Sequence, residues 1–309
     1  MERPLSTPGL REHDIIFINS FIKCWLDNRP IHQFPVQKIN KGMGKVSYKL
    51  FLDNVDVIVQ FRKKLNFHEP VVEALNIWLA NQANVCDLLL WGENDQYLYY
   101  LFPWIEGHTA KHFINSSSMS NLEKEVLIEK IGKVVRGLCN INTSGWGPFI
   151  DGFKGQYKLW KQYLLNILNF DNDCLNKIVT CKHRFIINKL LDTSEVYLSK
   201  ITPKLIYVDI NLENFIVTKN NLFVIDYDYI ISGDPLFVLA RFEVLYDDTK
   251  IKEAFRRGFG IKATDENIFN IYKILNLMQL VINSKIIKSE QELRKEKLLS
   301  ILNEIYKEG

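Results

Sequence analysis

The chain has 309 residues, 47% of them hydrophobic and 24% charged, with 15 Gly and 9 Pro. That excludes a disordered or collagen-like polymer and leaves ample material for a buried core. Lysine and arginine number 39 against 36 aspartate and glutamate, a net charge of +3 that gives no electrostatic case for a nucleic-acid binder.

From the N-terminus, Met1-Glu2-Arg3-Pro4 lacks the apolar core of a secretory signal. Ile15, Ile18, Phe21, Ile22 and Trp25 predict a helix over 12–27, ended by Asn28-Arg29-Pro30. The pattern then changes to β: 36–39, 46–52 and 55–61 read as strands, with turns at Gly42-Met43-Gly44 and Asp53-Asn54. A helix near 70–82 follows, then strands over 87–91 and 96–102. The strongly apolar run 97–105 is too short to span a bilayer and contains Pro103, so no membrane partner is expected and the cytoplasm is the expected location. Beyond Gly107 the chain reads as mainly helical, with one exception: short β pieces at 205–209, 215–218 and 222–225. Near the C-terminus Ile271, Leu275, Met278 and Ile282 make one apolar helical stripe, read as core. This predicts an α+β, two-lobed chain: a small β-rich N-lobe with a leading helix over 1–103, and a larger, mostly helical C-lobe over 104–309. The five cysteines are odd in number and widely spaced, and Cys174, Cys181 and His183 lack the paired C-x-x-C unit of a zinc site.

The chemistry concentrates in two segments, Leu205 to Phe215 and Val224-Ile225-Asp226-Tyr227-Asp228. They place a carboxylate, a carboxamide and a second carboxylate on loops leaving short strands. Phosphoryl transfer needs such a set: one carboxylate to orient the attacking hydroxyl, and two oxygen ligands to hold Mg²⁺ against a triphosphate. Asp209 suits the first role, and Asn214 and Asp226 the second. Taken singly, Asp209 and Asn214 would pass for turn formers beside a hairpin. The spacing and the apolar frame on both sides make the set specific.

In these residues the chain resembles the aminoglycoside phosphotransferase and choline kinase group, which has a protein-kinase-like fold. The group's catalytic loop reads His-Gly-Asp-x-x-x-x-Asn, and its metal loop has Ile-Asp followed by an aromatic, then Gly-Asp-Pro-x-x-Asp-Leu-Ala. Here Gly233-Asp234-Pro235-Leu236-Phe237-Val238-Leu239-Ala240 follows the metal loop directly, with no activation segment ending in Ala-Pro-Glu. The resemblance implies a small-molecule kinase that takes ATP or GTP with Mg²⁺, uses Asp209 as base or orienting group, and binds the metal through Asn214 and Asp226. It implies that Gly42 and Gly44 lie over the phosphates. It also implies that Phe102, the Pro103 carbonyl and the Ile105 N–H meet the base.

The sequence departs from the group at several positions. The loop His and Gly are Tyr207 and Val208, and the last Asp of the Gly-Asp-Pro motif is Val238. The strand Lys that contacts phosphates falls on Gln60, which donates a hydrogen bond but no charge; Arg62 is the nearest replacement and Glu73 the nearest candidate for the helix Glu that pairs with that Lys. The implied acceptor is an aminoglycoside or related antibiotic, which would make the chain a resistance kinase. Choline, ethanolamine, a sugar or an amino acid remain open, as does a kinase-like fold that binds without turnover. Asp228, Glu243, Asp247 and Asp248 could line an acidic acceptor cleft or form a solvated helix end. For Trp160 and Tyr163, core packing and acceptor contact are equally open readings. The oligomeric state is not read from the sequence.

Overall fold

Alternation dictates the first sheet. β1 (Val36–Ile39), β2 (Lys45–Phe51), β3 (Asp56–Lys63), β4 (Leu90–Glu93) and β5 (Tyr97–Pro103) are antiparallel, in the order β1-β2-β3-β5-β4. Tyr48, Leu50, Val57, Val59, Phe61, Tyr99 and Leu101 bury one face of this sheet together with Phe34. Register pairs Gln60 with Ser47 and Tyr100, and Ile58 with Phe102, so Gln60 and Phe102 belong to the opposite face. The strands stand where the pattern predicts, except that the fourth begins at Leu90.

The computed structural model describes residues 34–39, 45–52, 55–63, 85–93, 97–226, 229–261, 265–283 and 288–308. The expected leading helix, the Gly42–Gly44 loop and the helix near 70–82, with Glu73, lie outside these residues. The chain divides into two compact units, the first comprising Met1–Gly107 with Thr218–Val224, the second His108–Val217 with Ile225–Gly309. Among the described residues no helix is long and apolar enough to cross a membrane.

The second unit begins with β6 (His108–Thr109), α1 (Ala110–Asn115) and α2 (Asn121–Leu138). α2 opens with a reciprocal cap: Ser120 Oγ accepts the Glu123 N–H (3.3 Å) and the Glu123 carboxylate accepts the Ser120 N–H (2.7 Å). Next come β7 (Trp146–Asp151), β8 (Lys154–Tyr157), α3 (Trp160–Leu168), α4 (Asp173–Asn176), α5 (Cys181–Thr193), α6 (Glu195–Leu198), β9 (Lys204–Tyr207) and β10 (Phe215–Val217). β11 (Leu222–Val224) belongs to the first unit, where Val224 bridges Val85 in parallel and its carbonyl accepts the Cys86 N–H (3.2 Å). The second unit resumes with β12 (Ile230–Gly233), α7 (Pro235–Leu245), α8 (Thr249–Phe259), α9 (Glu266–Asn283) and α10 (Lys288–Glu308).

α7 is apolar almost all round and buried on every side, which makes it the central helix of this unit. Ile271, Leu275 and Met278 of the predicted stripe are buried in α9. Trp160 and Tyr163 are core residues, 2% and 4% exposed, which settles their packing role. The sequence reading overlooks the four-stranded sheet β8-β7-β12-β9 at β7, β8 and β12. β7 starts Trp-Gly-Pro, and its pairing relies on Gly145 (φ 62°) and Gly147 (φ 80°), so local propensity there argues against a strand.

α8 lies against α2 at backbone range. A Cβ on Gly132 would stand 2.6 Å from the Phe255 carbonyl oxygen, and one on Gly258 would overlap the Glu129 carbonyl. Gly258→Ala is therefore expected to force the two helices apart and cost about 1–3 kcal/mol, read as a lower urea midpoint at unchanged slope. An unchanged midpoint would mean that the crossing yields freely.

Candidate active site

β9 is built from buried apolar residues, Leu205, Ile206 and Tyr207, and pairs with β12 through Tyr207 opposite Ile230. The chain leaves the strand at Val208, whose N–H is still held by the Tyr229 carbonyl (3.0 Å), and Asp209 comes next. Ile210 and Leu212 are buried, so they anchor the loop to the core while its polar residues turn away. The Asn211 side chain accepts the Glu213 N–H (3.1 Å) and caps a short 3₁₀ turn, Leu212–Asn214. This turn brings Asn214 back onto Asp209: Nδ2 donates to the Asp209 carbonyl (3.0 Å) and to its Oδ2 (2.9 Å). The Asn214 carbonyl in turn accepts the Ile225 N–H (2.8 Å), which sets Asp226 beside the turn. Asp209, Asn214 and Asp226 thus converge in one loop cluster of the second unit.

Asp226 has φ 61°, a left-handed conformation uncommon for a residue with a side chain. Such strain persists where neighbours over-determine it, and here the neighbour is Tyr207. Its buried phenol donates to the Ile225 and Asp226 carbonyls (3.3 and 3.2 Å) and its ring meets Phe215 edge-on at 6.2 Å. The departure from histidine therefore leaves the Ile225–Asp226 loop with a hydrogen-bonded support. Tyr207→Phe removes that donor, a bond worth about 0.5–1.5 kcal/mol. It is expected to raise the Mg²⁺ concentration needed for half-maximal turnover by up to about tenfold; an unchanged Mg²⁺ titration would show that the loop holds itself.

Oxygen ligands decide whether a hard cation suits this cluster. Asn214 commits its Nδ2 to Asp209, while its Oδ1 takes no hydrogen bond from the described residues; Asp226 adds a carboxylate. An oxygen-only pair of this kind matches Mg²⁺, which keeps waters and phosphate oxygens as its other ligands.

Two supports carry no sequence signal of their own. Tyr246, just past α7, accepts the Leu212 N–H (2.9 Å) on its hydroxyl; burial pushes its phenol pKa up, the Leu212 bond opposes this, and the nearby Asp209 and Glu213 charges add to the rise. Arg241, buried in α7, has its pKa pulled down by burial, with the Tyr229 phenol and the Asp209 carboxylate near enough to oppose that, and the Arg294 charge adding to the fall.

In the first unit, Gln60 is half-buried on the face of the sheet opposite the core, and its side chain makes no hydrogen bond with the described residues. Arg62 is placed by register opposite Lys45 and Leu98. Phe102 stacks on Tyr100 (6.3 Å). After Pro103 the Trp104 N–H is taken by the Asp56 carbonyl (2.8 Å), whereas the Ile105 N–H has no partner among the described residues. Among the described residues the Pro103 carbonyl meets the Cys86 thiol alone, at 4.0 Å. Both backbone groups expected to face a base therefore retain hydrogen-bonding capacity. Gly42, Gly44 and Glu73 lie outside the described residues.

The acidic acceptor cleft is not what three of its four candidates form. Glu243 is buried against Arg256 and lies 3.5 Å from Lys273; Asp247 pairs with Lys297 (2.7 Å); Asp248 caps α8 through the Lys250 N–H (2.8 Å). Each is neutralised or spent on a helix terminus. The fourth, Asp228, lies outside the described residues.

The sequence matches no protein-family model and no curated protein. Its structure is similar to solved ones. Against a thermostable mutant of aminoglycoside phosphotransferase APH(4)-Ia, in ternary complex with AMP-PNP and hygromycin B, the TM-score is 0.66 at 14% identity, covering 87% of this chain and 93% of that one. Against spectinomycin phosphotransferase APH(9)-Ia, in complex with ADP and spectinomycin, it is 0.54 at 16% identity, covering 97% and 98%. These likenesses show the fold: the chain has the bilobal, α+β, protein-kinase-like architecture of those phosphotransferases.

Proposed function

We propose that this chain is a Mg²⁺-dependent phosphotransferase that moves the terminal phosphoryl group of ATP or GTP to a hydroxyl of a small molecule. The observation that carries it is Asn214, whose side-chain Nδ2 donates to Asp209 while its backbone carbonyl accepts the Ile225 N–H, next to Asp226. Asp209 orients the acceptor hydroxyl and takes its proton as the new O–P bond forms and the bond to the departing nucleoside diphosphate breaks. Mg²⁺, held by Asn214 and Asp226, would supply charge neutralisation on the phosphates. Phe102, the Pro103 carbonyl and the Ile105 N–H would receive the base, Gly42 and Gly44 the phosphates. Gln60 gives the phosphates a hydrogen bond without charge, Arg62 on the same strand is the candidate to supply that charge, and Glu73 is the nearest candidate for the helix Glu of the group's ion pair.

A fold that binds nucleotide without turnover is the second reading, and uncharged Gln60 is the feature that favours it. The deciding experiment is phosphate transfer from ATP and from GTP, with Mg²⁺, to a panel of hydroxyl compounds. Aminoglycosides head the panel, because the similar structures hold hygromycin B and spectinomycin and the sequence resemblance points the same way to a resistance role. Choline, ethanolamine, sugars and amino acids complete it. Transfer to any acceptor is the expected result; tight Mg·nucleotide binding with no transfer to any of them would favour the second reading, and no nucleotide binding would sink both.

A further inference from the structure

Alternation sets rows of side chains across the face of the first sheet opposite its core. Ser47, Gln60 and Tyr100 make one row, and Lys49, Ile58 and Phe102 the next. A third begins with Phe51 opposite Asp56, and Trp104 extends it, its N–H donating to the Asp56 carbonyl (2.8 Å). Lys49 stands out on this face. Lysine is rarely buried unless paired, because its ammonium ordinarily stays in water, yet Lys49 is only 7% exposed.

The third row offsets that burial. Lys49 Nζ lies 2.9 Å from Asp56 Oδ2, 4.0 Å from the centre of the Trp104 ring and 4.5 Å from that of Phe51. A long side chain reaches its diagonal neighbour across a strand pair, so the ammonium lies over the row beyond its own. Trp104 is thereby held at three points: its N–H by the Asp56 carbonyl, its ring by Lys49, and its indole N–H by the Glu106 carboxylate (2.8 Å). β5 ends at Pro103, so these contacts, and not a continuing strand, fix the backbone that follows. On either side of Trp104 stand the Pro103 carbonyl and the Ile105 N–H, the two groups with hydrogen-bonding capacity left for a base.

We propose that Lys49 is a positioning residue for base recognition: acting through Trp104, it sets the angle at which the Pro103 carbonyl and the Ile105 N–H meet the base of the nucleotide. The inference rests on the phosphotransferase reading and adds to it a residue that the resemblance does not mark. An acceptor and a donor two residues apart must meet one base edge together, and a hydrogen bond weakens steeply as it bends. A small rotation of Trp104 would therefore weaken both bonds at once. The Lys49 ammonium acts at a distance, because Asp56 and two rings already claim it.

The test titrates the full chain with Mg·ATP or Mg·GTP, whichever wild type binds more tightly, and with Mg·tripolyphosphate, a probe that has phosphates but no base. Lys49→Met keeps the stem and removes the charge; it is expected to raise the nucleotide Kd about tenfold and to leave the tripolyphosphate Kd within about twofold. Lys49→Arg keeps a cation over the ring and is expected to bring the nucleotide Kd back to within about threefold of wild type. Trp104→Leu should match Lys49→Met, and the double variant should be no weaker than the weaker single one, since both act through one ring. Should Lys49→Met fail to fold, Trp104→Leu reads the same ratio of the two probes. A nucleotide Kd unmoved in Lys49→Met, with wild type binding normally, overturns this inference alone and leaves Lys49 a stabilising residue. Equal losses for nucleotide and tripolyphosphate overturn it too, placing the effect on the phosphates or the fold, and additive losses in the double variant exclude the route through Trp104. If wild type binds nucleotide no better than tripolyphosphate, the base contacts themselves fall and the inference falls with them.

Discussion

Asp209→Ala is expected to lower kcat by about 10²- to 10⁴-fold while the Kd for Mg·nucleotide stays within a few-fold of wild type. The split follows from the geometry. Asp209 is not one of the two proposed metal ligands; its Oδ2 is held by Asn214 at 2.9 Å, an arrangement that aims the carboxylate instead of spending it on binding. Asp209→Asn is the sharper variant, since it keeps the shape and abolishes the base. Both should fall together. If Asp209→Asn retained most of the turnover, proton removal would not be the role of this carboxylate. Replacing Asp226 is expected to behave differently, weakening Mg·nucleotide binding along with turnover, because that carboxylate and the Asn214 oxygen are the proposed metal ligands. Single-turnover transfer and equilibrium titration of the two variants side by side would separate the roles.

What the sequence disclosed, and what it did not, divides along the reach of the interactions. Asp209, Asn214 and Asp226 were legible because their spacing is set locally: a strand end, a turn closed by the amide of Asn214 five positions on, and a second strand end. The first sheet was legible because a strict period of two leaves no other way to bury Tyr48, Leu50, Val57 and Val59. Tyr246 and Arg241 were not, since each meets the loop or its surroundings from a helix 30 or more residues away, and nothing in the local pattern distinguishes them from core or surface. Tyr207 read as a departure because the sequence shows only the lost histidine, whereas its phenol donates to Asp226, 19 residues on. The acidic cleft failed for the converse reason. Glu243, Asp247 and Asp248 cluster in sequence, but cations from α8, α9 and α10 and a helix terminus claim them one by one.

Asp234→Ala is expected to destabilise the protein by on the order of 2–5 kcal/mol. Asp234 is 3% exposed and serves four elements at once. Its Oδ1 accepts the Leu236 N–H (2.9 Å) and caps α7; its Oδ2 accepts the hydroxyls of Tyr197 in α6 and Tyr272 in α9 (2.8 Å each); and Tyr272 accepts the indole N–H of Trp160 in α3 (2.8 Å). Alanine loses the cap and strands the buried Tyr272 donor, while Tyr197, half-buried, can turn to water. Burial raises the carboxyl pKa above the usual aspartate range, and the Leu236, Tyr197 and Tyr272 bonds offset only part of that rise. The sign follows: between the ordinary aspartate value, about 3.9, and the raised native one, the folded chain holds the proton more tightly than the unfolded chain, so this group's contribution falls as pH rises. Asp234→Asn cannot ionise. The stability difference between wild type and Asp234→Asn should therefore shrink as pH rises from about 4, then level off above the native pKa. Urea midpoints of both proteins across pH 4–8 check this. Parallel curves would mean that the three donors hold the carboxylate ionised against its burial, and that α7 is then capped by a charge rather than by an acid.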